Sequence, residues 1–154
     1  MDWSESINLL ENLLYTNSFH KTIRLEICLM YSFNNREIVI DKYNTPTPWM
    51  NYLSNGTFHT MMSQAGGGVA FYKSPQIWRI NHYKFFHVPT DRRGFYTYIK
   101  DGEDYWCPTN EPCKSKPEKW TATHGMGYTR FEAEKNGVSV TSNYFVGEYN
   151  LRGL

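Results

Sequence analysis

Asn136-Gly137 sits between two runs that alternate apolar and polar residues, and no other feature of the chain restricts its possible folds as tightly. Asn and Gly both accept positive φ, which a two-residue type I′ turn requires at each central position. The flanking runs, Met126 to Glu134 and Val138 to Val146, have the two-residue period of strands. In the second run Val138, Val140, Tyr144 and Val146 share one side, opposite Ser139, Thr141 and Asn143. A hairpin with one apolar face follows. Alone it is marginal in water, so further strands have to pair with it.

The chain supplies them. Arg36 to Ile40, Thr57 to Ser63, Val69 to Tyr72, Phe95 to Lys100, Glu103 to Cys107 and Trp120 to His124 all read as strands. Asp101-Gly102 predicts another type I′ turn. Ile77 to His87 predicts a long strand that is apolar on both sides, hence covered on both faces. Asn55-Gly56-Thr57 has the form of a glycosylation acceptor. With no signal-peptide pattern in view it reads as a turn. Glu111 to Lys119 reads as a solvated loop. Aromatic residues make up 17% of the chain, which suits strands better than helices. The expected class is all-β, an antiparallel β-sandwich of consecutive hairpins. Residues 2–15 predict a short helix, capped by Asp2 with Glu5 three positions on and carrying Ile7, Leu10 and Leu14 on one face.

Two features between the strands shape the surface. Thr45-Pro46-Thr47-Pro48 cannot be helical, because each proline fixes its own φ and pushes its predecessor to extended geometry. A stiff arm is predicted, delivering Trp49 and Tyr52 to fixed positions. Gly66-Gly67-Gly68 allows positive φ and close approach of another backbone.

Composition removes several functions. Sixteen Lys and Arg against fifteen Asp and Glu leave no basic field for nucleic acid or an anionic membrane. A neutral ligand fits this balance better than a polyanion. Cys28, Cys107 and Cys113 lack metal-ligand spacing. Cys107 and Cys113 can meet across a loop, although a reduced cytoplasmic chain is the expectation. The histidines at 20, 59, 82, 87 and 124 are scattered, and no metal site is expected. No nucleophile elbow or phosphate loop occurs. Asp91, Asp101, Asp104 and Glu111 lie in polar, turn-like stretches, where nothing would raise a carboxyl pKa for acid catalysis. Sugar contact is easier to support. Trp49, Trp78 and Trp106 with Arg79 and Arg92 combine ring faces with hydroxyl-binding cations, although a sheet this aromatic also buries most of its tryptophans.

Seven stretches together carry a resemblance. They are Asn35-Arg36-Glu37-Ile38-Val39-Ile40, the Thr45 to Trp49 arm with Asn51-Tyr52-Leu53, Gly66-Gly67-Gly68 with Phe71-Tyr72, and Arg79-Ile80-Asn81-His82-Tyr83. Val88-Pro89-Thr90-Asp91-Arg92, Asp104-Tyr105-Trp106-Cys107-Pro108 and His124-Gly125-Met126-Gly127-Tyr128-Thr129 complete the set. In order and spacing, from about residue 31 to 147, the chain resembles the opening of the inverting β-glucoside phosphorylases. These are enzymes of the cellobiose, chitobiose and laminaribiose phosphorylase type, glycoside hydrolase family 94.

The resemblance implies the first part of a β-supersandwich of the galactose-mutarotase-like kind. Residues 1–29 would then be an N-terminal extension, and 30–154 an incomplete N-terminal β-sandwich domain. It further implies reversible phosphorolysis of a β-linked disaccharide to a sugar 1-phosphate, with inorganic phosphate as co-substrate and no cofactor. The family's general acid, an aspartate, and its phosphate site lie on a helical barrel further along. No position here matches them, so no catalytic residue is expected. The implied partners are a β-linked oligosaccharide, a barrel-bearing segment and a second subunit. The expected sugar contacts are Trp49, Arg79 and Trp106. The alternative is a free-standing carbohydrate-binding or interaction module.

Overall fold

The computed structural model describes residues 31–81 and 94–148. The expected helix over 2–15 lies outside them. Ten strands form in the described residues: β1 (Tyr31–Asn34), β2 (Glu37–Ile40), β3 (Met50–Ser54), β4 (Phe58–Ser63) and β5 (Gly68–Tyr72). They continue with β6 (Ile99–Asp101), β7 (Asp104–Trp106), β8 (Lys119–His124), β9 (Tyr128–Lys135) and β10 (Val138–Phe145). A five-stranded sheet has the order β1-β2-β8-β9-β10, a three-stranded sheet has β3-β4-β5, and β6-β7 form a hairpin. All named pairings are antiparallel. The all-β expectation therefore holds.

The Asn136-Gly137 turn forms as the sequence predicts, with φ of 53° and 76°. It sets an unbroken register from Val138↔Lys135 to Phe145↔Tyr128. Alternation in β9 turns Thr129, Phe131 and Ala133 inward. The core gathers Ile40, Trp120, Ala122, Phe131 and Ala133 from the large sheet, Met62 from β4 and Trp106 from β7. Val140 and Tyr144 pack on it from β10. Each fully buried side chain of this size contributes about 1.5–3 kcal/mol by leaving water.

Four expectations need correction. Tyr31–Asn34 is a strand, paired with β2 through Asn35-Arg36, whose φ values are 46° and 73°. Met50–Ser54 is also a strand rather than part of the arm, because β4 offers it a full ladder from Ser63 to His59. The described part of the Ile77 to His87 stretch is a bend with one isolated bridge, Phe71↔Arg79. Trp78 N donates to Ser74 O and Tyr72 N to Trp78 O, so a tight turn wins over extension. At the β6–β7 hairpin Asp101 pairs with Asp104, making Gly102 the first central residue and the only one with positive φ. That is the type II′ arrangement, not I′.

Glycine is required at two places. A Cβ on Gly68 would stand 1.9 Å from the Met61 carbonyl oxygen, so β4 and β5 can pair only without one. Gly66, at φ 82°, lies beneath the Thr109 methyl group, which a Cβ would approach to 2.7 Å. The Asn55-Gly56-Thr57 turn closes β3 on β4. Asn55 Oδ1 accepts from Thr57 N (3.0 Å) and Phe58 N (2.8 Å), and its Nδ2 donates to Gly147 O (2.8 Å).

Candidate functional site

A cleft of about 540 Å³ opens where β1, β2 and the end of β8 meet the start of β3. Tyr31, Phe33, Ile38 and Trp49 give it aromatic and aliphatic walls, and Arg36, Asn51 and His124 give it polar groups. Its size lies within the range of small-molecule sites.

The proline arm positions Trp49 as expected, and the buried side chain of Gln64 holds the arm. Trp49 N donates to Gln64 Oε1 (2.7 Å), and Gln64 Nε2 donates to Thr45 Oγ1. The half-buried Trp49 ring meets Tyr31 edge-on, centroids 5.3 Å apart. Tyr52, the other residue expected from the arm, points outward from β3 and is 69% exposed.

Beneath the cleft one directed chain of hydrogen bonds joins the two sheets. The two N–H groups of Asn51 Nδ2 serve three acceptors, Gly125 O (3.0 Å), Tyr128 O (2.9 Å) and Thr129 Oγ1 (3.1 Å), so one proton is shared. The Trp49 carbonyl can only accept, so His124 Nε2, 3.1 Å away, must carry the ring proton. His124 Nδ1 is then the acceptor for the Thr129 hydroxyl at 3.1 Å. Burial holds the His124 pKa below its ordinary value, against the opposing pull of the Trp49 carbonyl. A neutral imidazole with both nitrogens engaged is a structural element here, not a proton donor.

Arg36 is exposed at the rim and has no hydrogen bond or ion pair among the described residues. Beside it the Tyr128 hydroxyl donates to Glu37 Oε1, which raises the tyrosine's pKa. Among the described residues, no carboxylate, thiol or hydroxyl nucleophile lines the cleft other than the Tyr31 phenol. The arrangement can hold an apolar or stacking group near a cation, and among the described residues it contains no acid–base pair.

The three expected sugar contacts do not assemble. Trp49 borders the cleft. Arg79 lies exposed beyond β5, with its Nε donating to Pro75 O (3.1 Å). Trp106 is 0% exposed in the core, and its indole N–H has no partner among the described residues. Trp78 is exposed in the bend after β5, while Arg92 and Asp91 lie outside the described residues. Asp101 accepts from Asn136 Nδ2 (3.1 Å), and Asp104 pairs with Lys135 (2.7 Å), which lowers its pKa. The lowered Asp104 carboxyl is not tuned as an acid. Among the described residues no three His, Cys, Asp or Glu side chains are placed to hold a metal ion. No helix there is long and apolar enough to cross a membrane.

Arg36 and His124 escaped the sequence reading. The signal for Arg36 was its place directly after Asn35, where a type I′ turn prefers glycine.

The sequence matches the family described as glycosyl hydrolase 94, supersandwich domain, over residues 36–150. The chain belongs to that family. It is 36% identical over 117 residues to an N,N′-diacetylchitobiose phosphorylase of Vibrio proteolyticus, covering 73% of this chain and 14% of the relative. A 3-O-β-D-glucopyranosyl-β-D-glucuronide phosphorylase of Paenibacillus borealis is 34% identical over 114 residues, 72% of this chain and 13% of the relative. A solabiose phosphorylase of the same organism is 30% identical over 119 residues, 75% of this chain and 16% of the relative. The chain thus spans about one seventh of the length of the relatives it matches.

Proposed function

We propose that the chain is the N-terminal supersandwich part of an enzyme that reversibly phosphorolyses a β-linked disaccharide to a sugar 1-phosphate. In this reading it frames the catalytic part and supplies neither the general acid nor the phosphate ligands. The observation that carries the reading is the match over 36–150 to a domain that disaccharide phosphorylases share.

A chimaera tests it. Residues 36–150 would replace the matching segment of the Vibrio proteolyticus phosphorylase. The chimaera is expected to release sugar 1-phosphate from N,N′-diacetylchitobiose and phosphate, and the isolated chain is expected to release none. Sugar 1-phosphate from the isolated chain, or a soluble but inactive chimaera, would overturn the proposal.

The second reading is a carbohydrate-binding module, which the Trp49 ring at an aromatic cleft favours. Calorimetry with β-linked oligosaccharides decides it. Binding by the isolated chain that Trp49→Ala abolishes would make the module the better reading.

A further inference from the structure

The loop 107–118 joins β7 to β8 and touches both layers of the fold. Trp120 Nε1 donates to Pro108 O (2.8 Å) on the side of the large sheet. On the other side Thr109 covers Gly66 at the turn between β4 and β5. The loop is braced within itself. Thr109 Oγ1 donates to Glu111 O (2.6 Å), Asn110 Oδ1 accepts from Lys116 N (2.9 Å), and Lys114 N donates to Asn110 O (2.6 Å).

Inside this brace the sulfurs of Cys107 and Cys113 are 3.0 Å apart. Cys107 is buried, with its backbone N–H on Ser115 Oγ (3.0 Å), whereas Cys113 is exposed. A disulfide places its sulfurs about 2.05 Å apart, so a shift of about 1 Å by the surface residue brings the pair to bonding distance.

We propose that Cys107 and Cys113 are a reversible oxidation site, closed into a disulfide by low-molecular-weight disulfides of the glutathione type. The exposed Cys113 thiolate attacks a sulfur of oxidised glutathione, forming a mixed disulfide and releasing one reduced glutathione. Cys107 then gives up its proton and attacks the Cys113 sulfur, expelling the second glutathione as thiolate, which takes up a proton. Two protein thiols are oxidised and one glutathione disulfide is reduced to two thiols. The order follows from access, and burial with the neighbouring Cys113 sulfur pushes the Cys107 thiol up to about 12. Closure would lock the loop that bridges Trp120 and Gly66. The inference stands whichever functional reading is right.

The sequence makes the test direct. No Lys or Arg separates the two cysteines, so trypsin leaves both in one peptide, residues 101–114, apart from Cys28. The whole chain would be treated with oxidised glutathione, alkylated, digested and weighed. Peptide 101–114 is expected to lose two hydrogens and refuse alkylation, and dithiothreitol should restore both thiols. Melting temperature should rise by about 5 °C on oxidation of the wild type, and not in Cys113→Ser or Cys113→Ala. Two alkylatable thiols after treatment, glutathione retained on Cys113, or a Cys28–Cys113 link would each overturn the proposal. Peptide mapping of the wild type answers the question even if a variant fails to fold.

Discussion

Asn136-Gly137 and Asn35-Arg36 close hairpins of the same sheet with nearly the same backbone, yet only the first has residues that favour it. A glycine accepts φ of 76° freely, whereas an arginine at 73° carries strain of order 1–2 kcal/mol. The first hairpin has eight residue pairs and an alternating pattern, so its own sequence encodes it. The second has four pairs and is held from outside by the β2–β8 ladder, by Tyr31 against Trp49 and by Tyr128 on Glu37. One end of the sheet is therefore local in origin and the other tertiary. The strained residue stands at the tertiary end, on the rim of the cleft.

The strongest way to break this contrast is to cut the tertiary end at Asn51. Asn51→Ala should lower stability by about 2–3 kcal/mol, because it removes both amide N–H donors that tie β3 to the β8–β9 turn and leaves the Gly125 carbonyl without its Asn51 donor. Urea unfolding measures this, and a loss under about 0.5 kcal/mol would mean that the β1–β2 end stands without it. Next in size, Gly137→Ala should cost about 1–2 kcal/mol by placing a Cβ at φ 76°. At the other turn the sign should reverse. Arg36→Gly is expected to raise stability by about 0.5 kcal/mol, strain relief exceeding the entropy of a new glycine. Thermal melts of both variants side by side sharpen the comparison, and equal signs would dissolve it.

The smallest change should come from pH. His124 has a folded pKa below its ordinary 6.5, so the unfolded chain binds its proton first as pH falls. The stability from the neutral ring is complete above pH 6.5 and should decline below it until the lowered folded pKa is passed. His124→Gln should flatten that decline in a series of unfolding curves. An unchanged slope would remove His124 from the account.

What the sequence made legible follows the same division. β8, β9 and β10 were readable because period-two alternation and an Asn-Gly pair act over neighbouring residues. β1 and β3 were not, although each pairs with the next strand in sequence, because Asn35-Arg36 lacks the glycine of a type I′ turn and the proline arm runs straight into Met50. Asp101-Gly102 was read one residue out of register, because the single positive φ marks Gly102 as the first central residue. In the cleft Trp49 was legible from the proline arm. His124 was not, because its bond to Trp49 spans 75 positions that no local pattern links. Trp106 illustrates the limit of composition, which counts indoles and says nothing of which ones the core takes.

The outer edge of β5 has one further consequence. Asn81 Oδ1 accepts from Ala70 N (2.7 Å), and its Nδ2 donates to Gly68 O (3.0 Å). Gly94 bridges Gly67, and Phe95 N donates to Gly66 O (2.9 Å). The chain thus leaves this edge and rejoins it within a few residues, roughly 10 Å along one strand. Phe95 and the Asn81 side chain occupy the backbone groups of Gly66, Gly68 and Ala70 that an added strand would need, so this edge of the small sheet is guarded against pairing with a second chain.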